Sequence, residues 1–333
     1  MSPHVRTVLQ RAAALMVAAL AGAAACTSTA RQEPAPSPAP SETSRVETTV
    51  IEVGDQPYAL DAAAGSVWVS GARSHLLEVR GRSVSSYHHP GGPLGIAVAR
   101  GVVWTTAASG EEARVSQVIG YGAGSGRVEE RISLRGESPY GIDADSRGIY
   151  VALHDGALVR IDPRTRAMTR VELGDRLTQV LVAHGFVWVS QPSGGVVWRV
   201  ALDRGEPQAT ALSFRHPRRK TCPQGTGATG AAVLVADPCA GTVWVVDPRS
   251  GDAEGELADV GVRPVDVAAG GGLIYVVSMR DDKVTVLDAA TLEAVAEATA
   301  GDGAISVVVG SSAAWVANSE DYSITKVEVR GPR

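Results

Sequence analysis

From residue 45 onward the apolar positions fall in short alternating runs, each closed by glycine, proline or a pair of acidic residues. Alternation of this kind puts successive side chains on opposite faces of a strand. The stretch 263–300 shows the unit most clearly. Pro264 to Gly270 alternates and stops at three glycines, Leu273 to Ser278 is a second run, Asp281-Asp282 makes a turn, Lys283 to Asp288 is a third run, and Leu292 to Thr299 a fourth. No segment sustains an amphipathic 3.6-residue period, which excludes a helical fold.

The second run of each unit is built around one large residue. Sliding the sequence over itself aligns Trp68, Trp104, Tyr150, Trp188, Leu234, Tyr275 and Trp315, at spacings between 36 and 46 residues. A repeat of about 40 residues is one four-stranded propeller blade. The sequence therefore predicts an all-β fold over 45–330, a seven-bladed β-propeller of four-stranded antiparallel blades, with the recurring aromatics packing blade on blade. Pro57, Pro93, Pro139 and Pro264 stand where a first strand begins and a missing N–H is tolerated. Asp162-Pro163-Arg164-Thr165 and Asp247-Pro248-Arg249-Ser250 supply turns between third and fourth strands. The last unit, from Ala304 to Val329, holds only three strands, while Val46 to Val53 precedes the first unit as an orphan. Pairing the two closes the ring and removes an open edge.

The chain ahead of the repeats has another character. Arg6 and Arg11, then an alanine-rich run ending in Ala23-Ala24-Ala25-Cys26, read as a secretory signal over residues 1–26. The ending resembles a bacterial lipoprotein lipobox, with Ala23 where leucine is usual. The resemblance implies lipidation of Cys26, export, and tethering to the outer face of the cytoplasmic membrane. Residues 27–44, with proline at 34, 36, 38 and 40 among small polar residues, are an extended linker. Outside the cytoplasm the two remaining cysteines, Cys222 and Cys239, can form a disulfide. Alignment with the next unit puts both at the same end of one blade.

The strand Ile149-Tyr150-Val151-Ala152 with its Asp162 turn, and Ile274-Tyr275-Val276-Val277 with Asp288, resemble the YVTN-type β-propeller repeat. The resemblance implies the fold, and beyond it only bacterial surface and periplasmic binding proteins with varied partners. Streptogramin lyases are similar in repeat architecture. They carry a Glu-x-His catalytic motif that this chain lacks, so their activity is not carried over.

Net charge is −5 and the isoelectric point about 5.8, which speaks against nucleic-acid binding. The one basic run is Arg215 to Lys220. In a propeller, the turns between second and third strands and the crossings between blades share one face. There the sequence places His88, His89, His154 and Asp155, and further round the ring Arg280, Asp281, Asn318 and Glu320, as candidate ligand-binding residues. The first functional reading is a non-enzymatic propeller, monomeric because a closed ring needs no partner strand, that would bind an envelope protein or ligand with no cofactor and no catalytic residue. The alternative is a lyase- or lactonase-like enzyme holding a divalent metal through His88 or His89, His154 and one of Asp155, Glu320 or Asp321. A third reading is a sensory domain reporting the state of the envelope.

Overall fold

The computed structural model describes residues 45–330 except 64, 109–115, 135–137, 202–205 and 258. Cys26, the signal and the linker lie outside the described residues. Among the described residues there are seven four-stranded antiparallel sheets. Blades 1 to 6 span 57–88, 92–133, 139–172, 180–213, 226–257 and 264–299, each in simple up-and-down order from inner to outer strand. Blade 7 takes three strands from 304–330 and its outer strand from Arg45–Glu52. That strand pairs along its whole length, from Arg45 opposite Arg330 to Glu52 opposite Ser323.

The alternation read from sequence becomes a set of inter-blade cores. Seven hydrophobic clusters are present, and each joins one blade to the next. The recurring aromatics sit in them: Trp68 faces blade 2, Trp104 blade 3, Tyr150 blade 4, Trp188 blade 5 and Tyr275 blade 7. A blade is thus hydrophobic on both faces, and neither face is satisfied until a neighbour covers it. The turn chemistry also holds. The carboxylate oxygen Oδ1 of Asp162 accepts the N–H groups of Arg164 and Thr165, and Asp247 and Asp288 repeat the arrangement two blades and three blades further on.

Two strands differ from expectation. The fourth strand of blade 6 begins at Ala294, because Leu292 takes a positive φ of 61° in the Asp288 turn. The inner strand of blade 5 is only Thr226–Ala228. Its glycines have a reason: a Cβ on Gly225 or Gly227 would lie 2.4 Å from the carbonyl oxygen of Val265 or Val267. The two inner strands meet backbone to backbone, so this strand is thin because it is crowded.

Beside it, Cys222 and Cys239 form a disulfide with a Cα–Cα distance of 5.5 Å. Buried Asp237 organises the loop. Its Oδ1 accepts the N–H groups of Cys222, Cys239 and Ala240, and its Oδ2 accepts the Trp244 indole N–H. Closing this short loop contributes about 3 kcal/mol in the chain-entropy account. Replacing both cysteines by serine should lower unfolding stability by that amount in urea titrations. A change within error would assign the restraint to Asp237 instead.

Candidate functional site

The face holding the blade crossings is built over the start of the inner strands. In five of the seven, the ladder register shifts within the first two residues: after Pro57, Pro93, Pro139, Pro264 and Ala304. A bulge takes a residue out of the ladder and re-aims its side chain. In blade 1 that residue is Tyr58, and in blade 3 the break spans Tyr140 and Gly141. Tyr58 is 40 % exposed and Tyr140 41 %, and they are close enough for Tyr58 to help raise the Tyr140 phenol, whose burial is the larger cause. The exposed His154 ring lies 6.2 Å from that of Tyr140. Tyr322, 39 % exposed in the second-to-third turn of blade 7, carries the guanidinium of Arg73 at 5.8 Å. All three exposed tyrosines therefore lie on one face. The other exposed large apolar residues, apart from Val262 in the crossing into blade 6, are on outer strands.

The residues expected to bind here are not drawn together. His88 ends the outer strand of blade 1 and is exposed. His89 is fully buried: Nδ1 meets the Gly91 carbonyl, Nε2 lies 2.9 Å from Thr105 Oγ1, and the ring stacks on Tyr121. Burial pulls it down to about 4, so it is neutral at ordinary pH. His89 is committed to joining blades 1 and 2 and has no free nitrogen for a ligand. Asn318 is likewise buried, donating from Nδ2 to Ser323 and Thr325. It occupies the same repeat position as Gln191 and Asp237, which accept the indole N–H groups of Trp198 and Trp244. Its role is to close a blade turn.

The remaining candidates are exposed but dispersed. Asp155 pairs with Arg170 at 3.3 Å, Asp281 accepts the Val262 N–H, the Arg280 N–H donates to the Val262 carbonyl, and Glu320 stands exposed in blade 7. His88, His154 and the acidic residues do not converge within metal-ligand range of one another. Among the described residues, three such groups converge only at Cys222, Asp237 and Cys239, whose sulfurs are already bonded to each other.

Three aspartates on the inner strands, Asp266 buried and Asp61 and Asp143 half-buried, were not anticipated. Asp61, Asp143 and Asp266 each accept the following residue's N–H on one oxygen. The other oxygen accepts an inner-strand N–H of the next blade: Val98 at 2.5 Å, Val182 at 2.6 Å and Val307 at 2.9 Å. Gln179 Oε1 does the same for the N–H of Thr226, and its Nε2 reaches Asp266 at 3.1 Å. The innermost strand of a blade has one unpaired edge, and these oxygens satisfy it. Burial pushes the three carboxyls up, Asp61 and Asp266 to about 6 and Asp143 to about 7, with the Asp61 charge adding to the effect on Asp143. Such values draw attention to catalytic acids. Here both oxygens of each are occupied by backbone, which makes them staples around the channel. A trace was present in the sequence, since Asp61 and Asp143 stand opposite the recurring Trp68 and Tyr150. The tyrosines too left a mark, in the repeated Pro-Tyr at 57–58 and 139–140.

No protein-family profile matches the chain, and no curated protein matches it. Among solved structures the chain is similar to BamB from Moraxella catarrhalis, with a TM-score of 0.62, 12% identity, and coverage of 84% of this chain and 98% of that one. Identity at that level establishes the shared propeller fold. It says nothing of shared chemistry, because one fold hosts unrelated functions.

Proposed function

We propose that this chain is a binding or scaffold protein of the bacterial cell envelope, exported and lipid-anchored through Cys26, which engages a protein partner with the face holding the blade crossings. The observation that carries this reading is the placement of Tyr58, Tyr140 and Tyr322 on that face, two of them turned out of the sheet by bulges. Tyrosine is enriched at interface hot spots, because it offers a large, stiff apolar surface with a polar tip. A rigid ring that presents it loses little entropy on binding.

The test is site-specific photocrosslinking in the native cell, with the photoreactive residue at position 154 and, as control, at Met168 on an outer strand. A discrete protein adduct is expected from 154 and none from 168. The Tyr58→Ala, Tyr140→Ala double variant should weaken that adduct by roughly tenfold or more, the scale of one or two hot-spot residues. Equal labelling from both positions, or an adduct indifferent to the tyrosines, would refute this assignment of the face.

A further inference from the structure

A second feature lies on the same face, away from the tyrosines. The crossing from blade 4 to blade 5 folds over the 3-10 turn Pro192–Gly194 and leaves an open pocket of about 460 Å³ between them. Arg215, His216, Arg219 and Lys220 line one side, and Ser193 to Gly195 the other. No acidic residue lines it, and none of Arg215, Arg219 or Lys220 forms a salt bridge with a described residue. In a chain of net charge −5, three permanent cations gathered without a counter-charge are out of character.

The crossing that carries them is held firmly. Cys222 is tied to Cys239, Arg219 Nη1 donates to the Ala240 carbonyl at 2.7 Å, and Thr221 Oγ1 donates to the Phe214 carbonyl at 3.1 Å. Phe214 itself is buried against Trp244, with ring centroids 5.6 Å apart. The Arg218 N–H donates to His216 Nδ1, which leaves Nε2 as the ring nitrogen able to donate to a ligand. The loop thus presents cationic and neutral donors from a fixed backbone, and their like charges repel one another until an anion arrives.

We propose that this pocket binds a phosphate-bearing ligand, its oxyanions received by Arg215, Arg219 and Lys220 with His216 Nε2 as a further donor. The charge count favours a phosphate over a single carboxylate, since guanidinium forks and an ammonium together match a multiply charged group with several acceptor oxygens. The same chemistry is offered by an anionic lipid headgroup and by a soluble phosphorylated compound.

The experiment titrates the full-length protein with inorganic pyrophosphate by calorimetry at low salt. In parallel, it measures recruitment to phosphatidylcholine vesicles with and without phosphatidylglycerol. Saturable pyrophosphate binding is expected, weakened roughly tenfold or more by Arg215→Ala with Lys220→Ala, exposed positions whose loss spares the core. Arg82→Ala, an exposed cation on blade 1, should leave it unchanged. Extra recruitment by phosphatidylglycerol that needs Arg215 and Lys220 and is competed by pyrophosphate would identify the source as a headgroup. Pyrophosphate binding without that extra recruitment would identify a soluble ligand. Absence of both effects, or effects equal in Arg82→Ala and the double variant, would overturn the proposal.

Discussion

Truncation of Trp188 to alanine is expected to cost about 3–5 kcal/mol of folding stability, the usual range for emptying a buried aromatic site. Trp188 is fully buried in the core between blades 4 and 5, and its indole N–H donates to the Ala183 carbonyl at 3.2 Å. The mutation therefore leaves both a cavity and an unmatched carbonyl. Because every blade depends on its neighbours for both faces, the loss should appear as a shift of the whole urea transition, read by circular dichroism and tryptophan emission together. Trp188→Phe should recover more than half of it by refilling most of the volume. A shift below about 1 kcal/mol would mean that the inter-blade core relaxes freely, contrary to close packing. Trp315 is the natural comparison: it is only half-buried, with the Lys326 ammonium 5.8 Å from its ring centroid, and should cost less.

The second large effect is on pH. A carboxyl whose folded pKa lies above its unfolded value keeps its proton while the unfolded chain has lost its own. The associated stability is complete below about pH 4 and disappears as pH rises through the folded value. For Asp61 and Asp266 that value is about 6, and for Asp143 about 7. His89, held near 4 by burial, works in the opposite sense and gains stability for the fold as pH rises from about 4 to 6.5. Three aspartates against one histidine leave a net decline of several kcal/mol, as an order of magnitude, between about pH 5 and pH 8. On the acid side the turn aspartates take over. Asp162, held low by the N–H groups of Thr165 and Arg164, and Asp288, held low by those of Thr291 and Ala290, favour the fold only while ionised. Greatest stability is thus expected near pH 4, just above the range in which the turn aspartates gain their charge. Urea unfolding at pH 4, 5, 6.5 and 8 measures it, and Asp143→Asn, which cannot ionise, should flatten the upper part of the profile. Stability that rises from pH 5 to pH 8 would show that the staples are ionised at no cost in the fold.

The fold was legible in the sequence because its determinants are local and repeated. The alternating runs recur seven times, the prolines at inner strands in four units and the aspartate turns in three, so each confirms the next. Even closure could be read, since a three-stranded last unit and an unpaired first strand call for one another. The site was much less legible. His89 reads as a loop histidine until the packing of blades 1 and 2 shows it buried between Thr105 and the Gly91 carbonyl. Asn318 looked like a turn residue offered to solvent, and it is a buried hydrogen-bonding residue of the blade. For His89 burial is set by Thr105 and Tyr121, distant in sequence, and for Asn318 by the hydroxyls of Ser323 and Thr325 that the turn folds back on it, and periodicity reports neither. The exposed tyrosines failed to register for the converse reason. A bulge moved Tyr58 and Tyr140 out of strands whose alternation says nothing about which residue will leave the ladder, and Tyr322 sits in a turn among polar residues.

Closure by Arg45–Glu52 also sets the order of events during synthesis. The first strand to leave the ribosome is paired with the last, so it has no partner until nearly everything else has been made, roughly half a minute later at about 5–20 residues per second. During that interval blade 1 has one bare face and the emerging ring two open ends. The waiting strand is suited to delay: Arg45, Glu47 and Glu52 keep it charged, and Ile51 is its one residue that ends fully buried. The ring is a structure that the nascent chain can only complete in its final act, and the strand Arg45–Glu52 is written to remain soluble until then.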